Sequence, residues 1–323
     1  MTDLDSSLFT DTIDKDRPCT WPAFEPGKGI LPYILHPISL VLTSYVFIKK
    51  IICKKIFGRL PKINSIFFDG ACEYLSNNKD INAPMLAKLS AGSDRSMELV
   101  YKYRFRRPTK KWNDWLAARV SDFWQDMRNC RALRNRLKIA RQILHQSVAQ
   151  FDKNSEIRVI SLACGSAEAV LEVIARYKKA GVLVKVILID LDPASLEKAE
   201  NNAKKLGVSD QVQIVRDNAL HAKIFADFKP HIIEMFGLME YLGDQSANCI
   251  FKDVHEILEE KGIFLTSCIS PNMEEWFVKV VINWTMIYRA KEDLATLAEK
   301  AGFTKCEVYV EPVGVHNVIK VTK

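Results

Sequence analysis

The most constraining feature of the sequence is an apolar run that ends in a turn of small residues, after which a helical pattern begins at once. Residues 157–172 read Ile-Arg-Val-Ile-Ser-Leu-Ala-Cys-Gly-Ser-Ala-Glu-Ala-Val-Leu-Glu. A strand, a tight turn and a helix in this order are typical of a nucleotide-type binding loop. Only Gly165 is glycine in this turn, and this restricts the ligand that the loop can accept.

The alternation of strands and helices continues to the end of the chain. Apolar runs predict strands at 157–163, 182–190, 212–215, 231–235, 262–269, 306–311 and 317–322, and helical periodicity predicts helices at 167–177, 193–206, 247–258 and 273–301. A turn with Pro312 and Gly314 joins the last two strands into an antiparallel hairpin. The pattern predicts an α/β fold with a Rossmann-like, doubly wound, seven-stranded sheet, preceded by an α-helical N-terminal extension.

The sequence predicts three regions. Residues 1–28 are polar and predict a poorly ordered tail, residues 29–150 predict a helical lid, and residues 151–323 predict the ligand-binding domain. Within the lid, apolar residues at steps of three and four predict one helix or two joined helices over 112–150. Residues 30–52 are strongly apolar and a lysine-rich flank follows, which predicts a helix at 38–57. Three alternatives remain for it: a buried helix, a helix on an anionic membrane surface, and a membrane span.

Charge and cysteine usage narrow the class of protein. Residues 101–141 contain thirteen Lys or Arg and three Asp, a net charge of +10 in a chain of +7. This segment predicts either a solvated helix face or a surface for RNA, an anionic membrane or an anionic substrate. The eight cysteines are scattered without a Cys-x-x-Cys pair, so we expect no metal site and no disulfide framework. We expect a cytoplasmic protein, with peripheral contact to the inner membrane face through 30–62 as an option.

Three successive strand ends carry groups that suit an adenosine ligand. The first is the small-residue turn around Gly165, and the second is Asp190, which lies 25 residues further on, where a ribose diol finds its acceptor. Asp192 is the alternative acceptor, or else it caps the helix that begins at Pro193. The third is the pair Asp217 and Asn218, which can match an adenine edge. A dinucleotide requires the Gly-x-Gly-x-x-Gly pattern for its phosphates, whereas S-adenosylmethionine has no phosphate and requires less glycine.

At this point the sequence resembles a known class. Residues 159–167 resemble motif I of class I S-adenosylmethionine-dependent methyltransferases, and residues 186–193 and 216–219 resemble their second and third motifs. Segments 131–136, 236–242 and 284–289 resemble a poorly characterised bacterial methyltransferase family. The chain departs from the class at three positions, because Ser161 stands where an acid is common and Ala163 and Ala167 stand where glycine is usual.

The resemblance implies roles for individual residues. S-adenosyl-L-methionine would contact Ala163, Cys164, Gly165, Ser166, Asp190, Leu191, Asp217, Asn218, Glu234, Met235 and Gly237. The sulfonium carries its own leaving group, so a general base is needed only for hydroxyl or amine acceptors. The candidates for such a catalytic base are Glu234, Glu240, Tyr241 and His231, each with the alternative of a cap, a core hydroxyl or a solvated charge.

The acceptor is the least constrained part of the prediction. A small or amphiphilic acceptor is favoured, such as a lipid-like carboxylate or hydroxyl, with Arg104, Arg106, Arg107, Trp284, Tyr288 and Arg289 as candidate substrate contacts. The first alternative is an RNA methyltransferase that uses the basic segment 101–141, although this segment lacks the interleaved aromatic residues of a base-stacking surface. The second alternative is a non-catalytic module that only binds S-adenosylmethionine.

Overall fold

The computed structural model describes residues 97, 100, 101, 125–279 and 284–323. The chain divides into two compact units. The sheet unit contains residues 135–272 and 286–323, and the second unit contains residues 273–285 and the described residues up to 134. The predicted tail 1–28, the apolar and basic segment 30–62 with its helix 38–57, and Arg104, Arg106 and Arg107 lie outside the described residues.

A seven-stranded sheet forms the centre of the sheet unit. Its strands are β1 (Ile157–Leu162), β2 (Val184–Asp190), β3 (Val212–Arg216), β4 (Ile232–Met235), β5 (Ile263–Ile269), β6 (Lys305–Val310) and β7 (His316–Thr322). Their order is β3-β2-β1-β4-β5-β7-β6, in which β7 is antiparallel to both β5 and β6 and the remaining pairs are parallel. The predicted Rossmann-like fold with a C-terminal antiparallel hairpin is therefore confirmed.

Helices alternate with these strands along the chain. They are α1 (Arg128–Val148), α2 (Glu168–Lys179), α3 (Pro193–Leu206), α4 (Asp244–Ile257), the single turn α5 (Glu275–Phe277) and α6 (Lys291–Ala301), and short 3₁₀ segments are found at Ser209–Gln211, Ala219–Phe228 and Met239–Tyr241. The ends of α3 illustrate the local rules. Asp192 accepts hydrogen bonds from the first backbone amides, Pro193 occupies the first turn, and Gly207 ends the helix with a left-handed φ of 71°.

Both faces of the sheet are covered by apolar side chains. Successive residues of a strand point to opposite faces, and here they join different clusters. Val159 packs in one cluster and Ile160 in the other, and Leu265 and Phe264 divide in the same way. Continuous apolar strands are what a parallel sheet buried on both faces requires, which explains why the strands were readable from the sequence.

The α1 helix brings part of the predicted lid into the sheet unit. Ile139, Ile143, Leu144 and Val148 are buried in the same cluster as Val159 of β1. The sheet unit accordingly begins at residue 135, whereas the sequence placed the start of this domain at 151. The periodic pattern over 112–150 did predict the helix, and its described part covers Arg128–Val148.

The basic residues of α1 are not the solvated face that one interpretation of the charge pattern expected. Arg131 and Arg134 are buried in the second unit, where Arg131 binds Asp126 and Arg134 donates to the carbonyl of Gln125 at 2.8 Å. In the sheet unit, Arg141 pairs with Glu168 and Glu172 of α2. Carboxylates therefore neutralise Arg131 and Arg141, and an uncharged carbonyl accepts from Arg134.

The prediction of one continuous helix over 273–301 is wrong. The short α5 ends at Phe277, and α6 begins only at Lys291. Asp293 accepts the Ala290 amide at 2.8 Å and so fixes the start of α6. Arg289 donates its amide to the Ile269 carbonyl at 2.9 Å, which holds the backbone before α6 against the end of β5. Tertiary hydrogen bonds here override the local helical pattern.

The second unit contains a cap at the start of α1. The carboxylate of Glu274 accepts the backbone amides of Arg128 and Asn129, both at 2.9 Å. An acidic side chain at a helix N-terminus satisfies free amides and complements the helix dipole. Across both units, none of the helices that the structure describes is long and apolar enough to cross a membrane.

Candidate functional site

The carboxyl ends of the parallel strands form one edge of the sheet, where ligands bind in folds of this type. The register aligns Leu162 of β1 with Ile189 of β2, and Ser161 of β1 with Glu234 of β4. The strand ends therefore bring together the predicted cofactor residues Ala163, Cys164, Gly165, Ser166, Asp190, Leu191, Glu234, Met235 and Gly237. Gly165 and Asp190, 25 positions apart, and Ser161 and Glu234, 73 positions apart, meet at this edge.

The turn after β1 has the backbone of a glycine-rich loop, although only one of its residues is glycine. Ala163, Gly165 and Ala167 have φ values of 52°, 53° and 54°, so every second residue is left-handed. A residue with a Cβ loses about 1–2 kcal/mol in this conformation, and Gly165 does not. The two alanines therefore adopt a left-handed backbone at a cost in strain, and such strain is common in functional loops.

Asp190 links the turn to the end of β2. One carboxylate oxygen accepts the Gly165 amide at 2.8 Å and the other accepts the Asp192 amide at 2.9 Å. Each oxygen can accept a further hydrogen bond, so the carboxylate can still receive a ribose hydroxyl. Leu191 lies beside Asp190 and is 60% exposed, so its side chain is accessible at this edge.

Asp192 has the second of its two predicted roles. Its carboxylate accepts the amides of Ala194 and Ser195 at 3.2 Å and the Ser195 hydroxyl at 2.7 Å. These hydrogen bonds, the Ser195 hydroxyl first among them, hold the pKa of Asp192 below its usual value. Asp192 is thus the cap of α3, and Asp190 remains the candidate for the ribose.

Asp217 and Asn218 follow β3 as expected. The Asp217 carboxylate pairs with Nδ1 of His221 at 2.8 Å and accepts the Asn218 amide at 2.6 Å, and these contacts lower its pKa. The Asn218 side-chain oxygen accepts the Leu220 amide at 3.0 Å and caps the following 3₁₀ segment. Asp217 is therefore ionised at neutral pH, whereas the oxygen of Asn218 already serves the protein backbone.

Glu234 is a buried carboxyl at the centre of the edge. It makes a short hydrogen bond with the hydroxyl of Ser161, its neighbour on β1. Burial raises the pKa of Glu234 to about 7, and the Ser161 hydrogen bond opposes this shift only in part. The edge thus holds a carboxyl that exchanges its proton near neutral pH. It lies next to Ser161, the position at which the class often has an acid.

Glu240 lies deeper than Glu234 and forms a polar cluster with residues that the sequence did not single out. Its carboxylate is 2% exposed and accepts a hydrogen bond from Arg136 at 3.2 Å. Arg136 also lies beside Gly237, where an added Cβ would be 3.2 Å from the guanidinium. His316 completes the cluster, with Nδ1 at 3.7 Å from the Glu240 carboxylate.

His231 is not part of this site, and its nomination as a base is wrong. It precedes β4 and therefore lies at the amino edge of the sheet, opposite the carboxyl ends. Its Nδ1 accepts the Arg158 amide at 3.0 Å, so the ring caps the start of β1. Tyr241, another nominated base, follows Glu240 on the carboxyl side and is 43% exposed.

The structure places the predicted substrate contacts in different environments. Arg289 is buried, and its guanidinium donates to the carbonyls of Met239 and Leu242 at 2.8 and 2.6 Å and to Asp244 at 2.8 Å. It stabilises the loop after β4 and is not free for a substrate, which corrects its assignment. Tyr288 lies in the sheet unit beside Arg289, and Trp284 lies in the second unit, where its amide binds Val278.

The comparisons with known proteins agree with this geometry. A family model described as "Putative methyltransferase" matches residues 79–323, and the chain therefore belongs to this family. The class of methyltransferase that the three sequence motifs predicted is confirmed. No curated protein matches the sequence. No group of residues in the described part of the chain has the composition of a metal site.

Solved structures share the fold at low sequence identity. A Bordetella parapertussis protein described as a "possible exported protein" is 17% identical, with a TM-score of 0.58 over 72% of this chain and 79% of that one. A Nostoc punctiforme "putative O-methyltransferase" is 13% identical, with a TM-score of 0.50 over 76% and 72%. Magnesium protoporphyrin IX methyltransferase from Synechocystis, solved with bound S-adenosylhomocysteine, is 10% identical, with a TM-score of 0.51 over 75% and 99%.

Proposed function

We propose that the protein uses S-adenosylmethionine as methyl donor and transfers the methyl group to a small or amphiphilic acceptor at the carboxyl edge of the sheet. The observation that carries the proposal is the contact between Asp190 and Gly165. It joins a strand-end carboxylate to the amide of the turn at 2.8 Å. A ribose acceptor and a loop that accommodates the methionine part are therefore adjacent, as this cofactor requires.

The charges at the edge fit the same cofactor. Asp190 and the ionised Asp217 offer carboxylates for the ribose and adenine, and Glu234 lies between β1 and β5 in the sheet. The cofactor brings a sulfonium as its reactive group, so it supplies the leaving group itself. The tasks left to the protein are to position the acceptor in line with the methyl group and to exclude water.

Calorimetry tests the donor. The wild-type protein should bind S-adenosylmethionine, and Asp190→Asn should weaken binding by about 1–3 kcal/mol, because the ribose loses a charged acceptor. Asp227→Asn is a matched control, since Asp227 is exposed and lies away from the strand ends. Equal affinities for the two variants would remove Asp190 from the cofactor site, and a wild-type protein that does not bind would end the proposal.

For the acceptor, we propose a lipid-like molecule with a carboxylate or hydroxyl. The apolar segment 30–52 and the lysines that follow it support delivery from an anionic membrane surface. The test is transfer of a tritiated methyl group to a cell extract that is then separated into lipid, RNA and protein. Label in the lipid fraction supports the proposal, and label in RNA contradicts it.

Two alternatives are less well supported by the contacts. An RNA methyltransferase would need the arginines of α1 for phosphates, yet Arg131, Arg134 and Arg136 are buried with protein partners. A non-catalytic binding module is suggested by the departures at Ser161, Ala163 and Ala167, yet the two alanines adopt the left-handed backbone that glycine would provide. The labelled extract separates these alternatives as well, because a non-catalytic module would bind the cofactor and transfer nothing.

A further inference from the structure

The cluster of Glu240, His316 and Arg136 lies at the same edge as the cofactor residues, although its members come from three distant parts of the chain. His316 opens β7 and pairs with Ile269, the last residue of β5. Because β7 is antiparallel, its first residue lies where the parallel strands end. Glu240 follows β4 by five positions, and Arg136 contacts Gly237 between them. The cluster is therefore continuous with the strand end at which the methyl group is expected.

Two polar atoms of this cluster are buried without a hydrogen-bond partner. They are Oε2 of Glu240 and Nδ1 of His316, which have no hydrogen-bond partner among the residues that the structure describes, and both residues are 2% exposed. A buried polar atom without a partner costs about 1–3 kcal/mol, so native proteins keep such atoms chiefly for a ligand, a water molecule or catalysis. Glu240 Oε1 is 3.7 Å from His316 Nδ1, too far for a hydrogen bond between the two side chains.

The surrounding structure holds both side chains in place. Arg136 binds the other oxygen of Glu240 at 3.2 Å. The carboxylate of Glu311 fixes the turn before His316, because it accepts the amides of Val313 and Val315 at 2.7 Å. Asn135 donates to the same carboxylate at 3.2 Å and ties this turn to α1. A catalytic pair requires support of this kind, since its geometry must exist before the ligand binds.

At pH 7 the pair includes a neutral imidazole, whose free lone pair can accept a proton. Burial, together with the nearby Arg136 guanidinium, holds the pKa of His316 well below its usual range, so its ring is neutral at pH 7. Burial raises the pKa of Glu240, and Arg136 and Arg289 oppose this effect. Glu311 and the Cys268 thiol, whose pKa burial raises to about 12, complete the titratable groups described around the pair.

We propose that Glu240 and His316 bind a hydroxyl group of the methyl acceptor and together remove its proton during transfer. A hydroxyl both donates and accepts, so it can serve a carboxylate oxygen and an imidazole nitrogen at once. A carboxylate acceptor is already ionised and has no use for a base. The inference rests on the proposed methyl transfer and chooses the hydroxyl among its acceptors, with Arg136 as a positioning residue.

The step balances without any further reactant. A lone pair of the acceptor oxygen forms the new O–CH₃ bond while the C–S bond of S-adenosylmethionine breaks. The bonding pair stays on sulfur and gives S-adenosylhomocysteine. The hydroxyl proton moves to the Glu240–His316 pair and from there to solvent, which restores the base for the next cycle.

The test combines full-length variants with a chemical analysis of the product. Wild type, His316→Gln, Glu240→Gln and His255→Gln are incubated with tritiated S-adenosylmethionine and a chloroform–methanol extract of cells. His255 is the matched control, because it packs on Phe303 away from the cluster. We expect His316→Gln and Glu240→Gln to lose about 100-fold or more of the transfer rate. Cofactor affinity by calorimetry should stay within about threefold, because neither residue is among the predicted cofactor contacts. An unchanged affinity also shows that both variants fold.

The product decides the acceptor class. A methyl ether is stable in mild alkali, whereas a methyl ester releases volatile tritiated methanol. The inference expects label that is stable in alkali and attached to oxygen by mass spectrometry. Three results would overturn it: alkali-labile label, label on nitrogen, or activity of His316→Gln within threefold of wild type. Retained activity of His316→Gln would mean that an ordered water, not the acceptor, is the partner of Glu240 Oε2 and His316 Nδ1. Failure of the wild type to bind the cofactor or to transfer label would instead overturn the proposed function.

Discussion

The two sides of the carboxyl edge are built in different ways. On the cofactor side, the turn after β1 and Asp190 owe their geometry to backbone conformation and to contacts between neighbouring strands. On the acceptor side, Arg136, Glu240 and His316 form a cluster of buried side chains from three distant segments. The first side is encoded locally and the second depends on tertiary packing. The two should therefore respond differently to mutation.

The largest expected effect comes from breaking the buried ion pair on the acceptor side. Arg136→Met preserves much of the side-chain volume and leaves Glu240 without its 3.2 Å partner. We expect unfolding free energy to fall by about 3–5 kcal/mol, because a carboxylate would remain buried and uncompensated. Urea denaturation measures this loss.

The control is an arginine on the same helix. Arg141 pairs with Glu168 and Glu172, which are far more exposed than Glu240. Arg141→Met should cost about 1 kcal/mol or less, since water screens this pair. If the two variants were equally stable, the acceptor-side cluster would not depend on a buried charge pair, and the contrast drawn between the two sides would be lost.

A smaller effect should come from Glu234, where the two sides meet. Its pKa is raised from the ordinary 4.5 to about 7, so the folded protein binds this proton more tightly than the unfolded chain. The stabilisation is complete below about pH 4.5 and is lost as the pH rises through about 7. Its upper limit is about 3 kcal/mol.

Glu234→Gln isolates this contribution. The variant should match wild type near pH 4 and become the more stable protein above pH 7, as measured by urea denaturation across this range. Glu200→Gln, on the exposed face of α3, is the control for the substitution of a glutamate by glutamine outside the buried edge. A Glu234→Gln difference that does not change with pH would show that folding does not shift the pKa of this carboxyl.

The sequence predicts the features that local residues determine and misses those that depend on tertiary packing. All seven strands and the turn around Gly165 were predicted, because apolar runs and small residues act over short distances. The helix over 273–301 was wrong because tertiary hydrogen bonds hold Arg289 against Ile269 and Met239. A new helix then begins at the local cap that Asp293 forms. His231 was misplaced because its type suggested a base, whereas its position at the start of β4 puts it on the opposite edge.

The acceptor-side cluster was only partly predictable, since Glu240 was nominated and its partners were not. Arg136 carried the helical pattern of a charged face, and nothing in that pattern indicates burial against Gly237. His316 did leave a signal in the sequence. It follows the Pro312 and Gly314 turn of a terminal hairpin, and the first residue of an antiparallel last strand lies at the carboxyl edge. A search of that position for ionisable residues would have found it.

The smallest expected effect concerns the turn on the cofactor side. Ala163 and Ala167 are left-handed, so glycine at either position should relieve strain. Glycine also loses more conformational entropy on folding, and the net gain in unfolding free energy should be about 0.5–1 kcal/mol. Ala175→Gly is the control within α2, where the backbone is helical and glycine should destabilise by about 1 kcal/mol. Urea denaturation should show that the unfolding free energy rises in the turn variants and falls in Ala175→Gly. This difference in sign is expected only if backbone conformation determines the turn. A loss of stability in both turn variants would mean that the alanine methyl groups contribute packing that outweighs the strain.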